Sequence, residues 1–380
     1  MNQKELNEIR RRWKPDRAAI SGIYGCYVNS AKEIVSQFET SLGLLSHDEG
    51  EMYLSLMKKA LSGTLGKNLI DIEFATAQVA GGEEHALLMQ LKKELLNDSE
   101  ARTQLYSKII SALTLEEESG YLILLAADAY DVPHHGRDSA FQDDGGEVFK
   151  YFVCCICPVR SAVPELGYST ESGEFRLSTA GQTVAAPELG FMFPCFDARA
   201  TNIYNVLYYT HKPAELHQEF IDALFCTPAL MSAPAQKDAF GAAMADALDK
   251  ACSFDVVQSV HEHIRARIAE HKEAKDPDRL ELSIREVGEM LIDSGVDEDT
   301  AESFRSECER EFGENSALDP NNIIDAKKFC IQTPEIKINV PAESSHLIET
   351  RVINGRRYIL IPADTGVEVN GISVSINEEK

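Results

Sequence analysis

Tyr121-Leu-Ile-Leu-Leu-Ala-Ala-Asp-Ala-Tyr130 and Val148-Phe-Lys-Tyr-Phe-Val-Cys-Cys-Ile-Cys-Pro-Val159 are nearly continuously apolar, and within them Tyr121 to Ala127 and Tyr151 to Val159 are the longest apolar runs of the chain. Both are of strand length, well short of the roughly 20 residues that a membrane helix needs. A strand with one wet face alternates apolar and polar side chains, whereas an unbroken run belongs where both faces are covered. The pair therefore predicts the centre of a sheet layered on each side. The loop between them is polar and carries Gly136, Asp143, Asp144, Gly145 and Gly146.

Toward the N-terminus, residues 3–13 suggest a short charged helix, and 18–29 with 32–42 suggest a hairpin rich in Ile, Tyr, Val and Phe. Ser46 and Glu49 have capping-box spacing, which opens a helix over 48–61 that stops at Gly63. A strand over 68–75 and helices over 85–96 and 100–113 follow. Beyond the central runs, strands are expected near 174–177, 189–192 and 203–209, with a boundary at Ser232-Ala-Pro-Ala235. The pattern then turns helical over 236–251, 255–273, 281–293 and 298–312, with Asp297 as an N-cap. After Pro320 a meander is expected, its turns marked by Asn354-Gly355 and Asn370-Gly371, because both residue types tolerate the positive φ of a type I′ turn. The fold class is thus α+β: a mixed or antiparallel sheet domain with flanking helices over 1–232, a helical acidic segment over 233–320 and a C-terminal β-meander over 321–380.

Of 380 residues, 62 are acidic and 37 basic, for a formal net charge of -25. Such a surface repels phosphate backbones at long range, so broad non-specific nucleic-acid binding is not expected outside local basic patches. The first residues are polar and lack the apolar core of a secretory signal. With that, nine scattered cysteines point to reduced thiols and a cytoplasmic protein without membrane attachment.

The chemical motifs are mostly look-alikes. Leu61-Ser-Gly-Thr-Leu-Gly-Lys-Asn68 resembles a phosphate loop, but Leu61 stands where the first glycine belongs, Asn68 where a hydroxyl belongs, and a helix precedes it. The densest set of ligand-type residues is Asp128, Asp131, His134, His135 and Asp138, so the loop 128–138 is the candidate for a divalent metal, with Asp131, His134 and His135 as the ligands. The bland alternative is a polar strand-end loop. No other cofactor is expected. Cys154, Cys155 and Cys157 contain a formal C-x-x-C, but on a strand Cys155 and Cys157 share one face and Cys154 takes the other, so buried hydrophobe-like thiols are the simpler reading. His261 and His263 lie two apart on a helix and face different sides. The acidic stretch from Asp293 lacks the glycine and bidentate glutamate of a calcium loop. Neither Gly-x-Ser-x-Gly nor Gly-x-Gly-x-x-Gly occurs.

Several segments together resemble a bacterial family of unassigned function, domain-of-unknown-function family 4317. They include Glu8-Ile-Arg-Arg-Arg-Trp-Lys-Pro15, Leu61 to Leu69, Tyr130-Asp-Val-Pro133, Gly190-Phe-Met-Phe-Pro194 and Glu349-Thr-Arg-Val-Ile-Asn-Gly-Arg-Arg357. This resemblance spans the chain and implies no catalytic residues. From Leu280 onward, Leu282-Ser-Ile-Arg-Glu-Val287, an acidic helix pair with Phe304, and Lys328-Phe-Cys-Ile331 before a meander are similar in pattern to 37-kilodalton nucleoid-associated proteins. The expectation is a non-catalytic macromolecule-binding protein, nucleoid-associated in its most specific form. DNA would meet Arg10, Arg11, Arg12, Lys14 and Arg17 at one end and Arg351, Arg356 and Arg357 at the other. The alternatives are a metal-dependent enzyme using the 128–138 loop and a scaffold that holds a protein partner through the acidic helices.

Overall fold

A computed structural model describes residues 1–375 apart from 15–18, 114–119, 134–147, 162–164, 170–172, 179–180, 229, 315 and 365. It falls into two compact units, Met1–Pro234 with Pro277–Arg279, and Ala235–Asp276 with Leu280–Lys380. Among the described residues no helix is long and apolar enough to cross a membrane.

The first unit begins with α1 (Gln3–Arg12), the hairpin β1 (Gly22–Val28) and β2 (Ile34–Ser41), α2 (His47–Lys59) and β3 (Leu69–Glu73). Then come α3 (Thr76–Gly81), α4 (Glu83–Lys93), α5 (Ser99–Ala112), β4 (Tyr121–Asp131) and β5 (Val148–Ser161). Short strands follow as β6 (Glu165–Ser169), β7 (Glu174–Ser178), β8 (Gln182–Val184), β9 (Leu189–Phe193), β10 (Cys195–Asp197), β11 (Ala200–Asn202) and β12 (Asn205–Thr210), and α6 (Gln218–Phe225) closes the unit.

The two apolar runs are β4 and β5, paired antiparallel from Tyr121 opposite Pro158 to Asp131 opposite Val148. They sit mid-sheet in the order β2-β1-β4-β5-β9-β12-β3, with β8 added against β5. Period-2 alternation divides each strand between two cores. Ile123, Leu125, Phe152, Cys154, Phe191 and Tyr208 face α4, α5 and α6. Leu122, Leu124, Tyr151, Val153, Cys155 and Leu207 face Leu6, Ile9 and Trp13 of the N-terminal segment and Leu54 and Met57 of α2. Each fully buried large side chain in such a core contributes about 1.5–3 kcal/mol. The layering requires one bare backbone: a Cβ on Gly190 would lie 2.7 Å from the Cys154 carbonyl oxygen and 2.8 Å from the Ala60 Cβ. The Ser46–Glu49 capping box forms as its spacing predicts. Outside the main sheet, hairpin β6–β7 leaves Leu166, Tyr168 and Phe175 exposed.

The second unit is entered by α7 (Ala233–Leu248) and continues with α8 (Phe254–Ala274), β13 (Leu282–Ser283), α9 (Ile284–Asp293), α10 (Glu298–Phe312), β14 (Ala317–Leu318) and α11 (Pro320–Ile323). Ser283 and Glu286 form a capping box on α9, and the Asp297 side chain accepts from the Thr300 amide at the head of α10. Phe240, Val260, Ile264, Leu291 and Phe304 fill the core between these helices. The meander is carried by three successive two-stranded hairpins: β15 (Lys328–Gln332) with β16 (Lys337–Pro341), β17 (Glu349–Ile353) with β18 (Arg356–Leu360), and β19 (Glu368–Val369) with β20 (Ile372–Ser373). The first is anchored by Phe329, whose ring meets Phe254 and His261 edge-on.

Candidate functional site

The strongest electrostatic feature of the first unit is the one acid inside the apolar run of β4. Asp128 is 1% exposed, and its two carboxylate oxygens accept from four donors. Arg12 donates from Nε at 2.6 Å and Nη2 at 3.0 Å, Tyr151 from its hydroxyl at 3.0 Å, and Ala19 from its amide at 3.1 Å. This two-pronged guanidinium–carboxylate geometry is the strong form of such a bond. Burial opposes charge on Arg12, yet the hydrogen bonds and charge of Asp128 outweigh it and raise the guanidinium pKa. Burial, then the Asp128 charge, pushes the Tyr151 phenol well above its usual range. The Arg12 guanidinium also lies 4.3 Å from the centre of the Tyr130 ring, whose hydroxyl donates to Glu8. Glu8 in turn receives Arg199 Nη1 at 2.9 Å, and the Arg199 amide donates to Glu5 at 3.1 Å. The network bolts α1 to the end of β4 and to the β10–β11 turn. Among the described residues these bonds tie three elements of the unit together.

That result redistributes the expected sites. Arg12 is tied to Asp128 in an ion pair. Arg10 is half-buried, whereas Arg11 and Lys14 are exposed. Arg17, His134, His135 and Asp138 lie outside the described residues. Asp128 faces Arg12, while Asp131 is exposed at the end of β4 opposite Val148.

The other look-alikes have structural explanations. The amides of Lys67, Asn68 and Leu69 all donate to the Thr64 carbonyl at 3.0–3.2 Å, so they point inward and cannot cradle a phosphate. Cys154 lies on one face of the sheet and Cys155 and Cys157 on the other, with the last two sulfurs 3.8 Å apart. Burial raises the pKa of Cys154 and Cys155, keeping them as thiols rather than nucleophilic thiolates. His261 Nε2 lies 3.1 Å from the Asp325 carbonyl oxygen, which can only accept, so the proton of the neutral ring is on Nε2. Among the described residues its buried Nδ1 has no hydrogen-bond partner, and burial lowers the imidazole pKa.

Arg351, Arg356 and Arg357 stand on the β17–β18 ribbon, whose turn has Asn354 at φ 51° and Gly355 at φ 79°. Register places Arg351 opposite Tyr358 and Arg356 opposite Ile353, while Arg357 opposes Val352. The first two arginines therefore share one face and Arg357 takes the other. Arg351 also reaches back to Glu349 at 2.7 Å. Both faces are bare: Val352 is 70% exposed and Ile353, Tyr358 and Ile359 are exposed with it. On β19–β20, Val369 and Ile372 are exposed as well.

A further cluster is not evident from sequence spacing. Glu188, Glu215 and His217 bring one ligand atom each to within 4.8 Å of one another. Only the Glu-x-His pair at 215–217 signals it locally; Glu188 arrives across the sheet, where the His211 amide donates to the Glu188 carbonyl at 2.8 Å.

The family model described as Domain of unknown function (DUF4317) matches residues 1–372. No curated protein matches the chain. No solved structure matches it. None of this supports the similarity to nucleoid-associated proteins.

Proposed function

The chain belongs to the DUF4317 family, and we propose from its own geometry that it is a non-catalytic macromolecule-binding protein whose contact element is the pair of ribbons β17–β18 and β19–β20. The observation that carries this reading is that both faces of β17–β18 are bare, with Val352, Ile353, Tyr358 and Ile359 all exposed. An isolated two-stranded hairpin is at best marginally stable in water, and exposed strands offer unpaired edges to another chain. Apolar side chains on both faces of such a ribbon favour a protein surface over a phosphate backbone.

Charge narrows the occupant to a second copy of this chain. Residues 349–360 hold three arginines and one glutamate, whereas 281–314 hold twelve acidic and three basic residues. A basic ribbon of one copy meeting the acidic α9–α10 pair of another is complementary in sign. Light scattering of the full chain over a range of concentration and salt tests it. Self-association should weaken with salt and be lost in the Val352→Ser/Ile359→Ser variant. A chain that stays monomeric at every concentration overturns the reading. So does association that survives this variant but disappears in Leu166→Ser/Phe175→Ser. Duplex DNA binding that falls steeply with salt, and is lost when Arg351, Arg356 and Arg357 become alanine, would replace the protein partner with nucleic acid.

A further inference from the structure

The geometry points to a divalent transition-metal site formed by Glu188, Glu215 and His217, in which the ion displaces the Lys212 ammonium and clamps the loop 211–217 to the head of β9.

Two carboxylates and one imidazole are a donor set for zinc or manganese rather than for calcium, which prefers oxygen alone. The three ligand atoms lie within 4.8 Å of one another. A tetrahedral ion with bonds of about 2.1 Å needs its ligand atoms about 3.4 Å apart. Rotation of two glutamates and one ring can supply that closure. The remaining coordination positions would hold water.

Two observations beyond the donor set support the site. First, Nε2 of His217 is shielded from water and has no hydrogen-bond partner among the described residues. Buried polar atoms are almost always paired, so an orphan nitrogen on a member of this cluster calls for an explanation. Second, a cation already lies against the same carboxylates. Lys212 Nζ is 3.1 Å from Glu215 and 3.9 Å from Glu188. Its ammonium balances negative charge there, as a metal ion would.

The loop is held by contacts that leave the three ligands available. Thr210 Oγ1 donates to the carbonyl oxygens of Lys212 and Glu215, at 3.1 and 2.7 Å. The Tyr208 hydroxyl donates to the Leu216 carbonyl at 2.8 Å. His217 has φ 51° and ψ 63°, a left-handed conformation at the start of α6. Its carbonyl accepts the Phe220 and Ile221 amides at 2.9 and 3.3 Å. The ring is thus presented from a defined backbone position, and the ion would join the start of β9 to the segment between β12 and α6.

Zinc titration of the chelator-treated full chain, followed by calorimetry and thermal unfolding, tests the site. The wild type should bind one ion at this cluster, with a chelator-reversible rise in Tm. His217→Asn tolerates the left-handed backbone and should weaken binding about tenfold or more, the scale of losing a group that supports a metal. Lys212→Met removes the competing cation and should tighten binding. No saturable binding by the wild type overturns the proposal. Binding unchanged in both His217→Asn and Lys212→Met also overturns it, as does binding abolished by His134→Ala/His135→Ala with residue 217 intact.

Discussion

The β4–β5 centre and the β17–β18 ribbon are both antiparallel pairs rich in apolar residues, yet one is sealed and the other is bare. Along β4 almost every position is buried on one face or the other, and its one acid has four donors. Along β17 every residue is exposed. The difference lies in what covers the strands, since strand propensity largely measures packing against neighbours. A covered pair contributes stability, and an uncovered pair presents a surface.

The comparison is broken most directly at Arg12. Arg12→Met leaves the Asp128 carboxylate buried with half its donors, and removing one partner of a buried pair costs about 3–5 kcal/mol. Urea denaturation of the first unit should show that loss; a change below about 1 kcal/mol, within the range of an exposed pair, would mean that the network is not the bolt described above. Gly190→Ala is expected to come next, at about 1–3 kcal/mol by overpacking, because its Cβ meets the Cys154 carbonyl. An unchanged Tm for that variant would show that the layers yield more readily than their spacing implies.

A smaller effect sharpens the contrast in the second unit through pH. The folded pKa of His261 is depressed by burial, which disfavours the charged ring, and among the described residues Nδ1 has no acceptor for a second proton. A depressed folded pKa means that this stability is fully present above the unfolded value near 6.5 and is lost as pH falls from there toward the folded pKa. Urea midpoints at pH 7.5 and 5.5 should differ in that direction, and His261→Gln should reduce the difference. The smallest effect on folding belongs to the ribbon. Val352→Ser/Ile359→Ser should change the stability of the monomer by no more than about 0.5 kcal/mol, as surface substitutions do. A large loss would show that those side chains are covered after all.

Much of the architecture was legible before any coordinates. The capping box at Ser46–Glu49 and the N-cap at Asp297 each span four residues, and the Asn354-Gly355 turn spans two, so local chemistry suffices. The nearly continuous apolar runs announced a sheet covered on both faces, as the two cores show. The short α3 and α6 and the strands β6, β8, β10 and β11 were not anticipated, since segments this short have too few periods to register. The candidate sites were harder to read. The loop 128–138 looked like a metal site because acids followed by histidines have ligand composition; only the arrival of Arg12, from 116 residues away, shows what holds the Asp128 carboxylate.

The sequence alone determined the α+β class, the capped helix starts at Ser46 and Asp297, the hairpin turns and the absence of the common hydrolase and dinucleotide motifs, because each depends on residues within a few positions of one another. Tertiary structure alone decided that β3 pairs with β12 at the sheet edge, that Arg12 is buried against Asp128, and that Glu188 stands beside Glu215 and His217. Those are contacts between residues tens of positions apart or more. They follow from which faces exclude water together, and no local pattern records that choice.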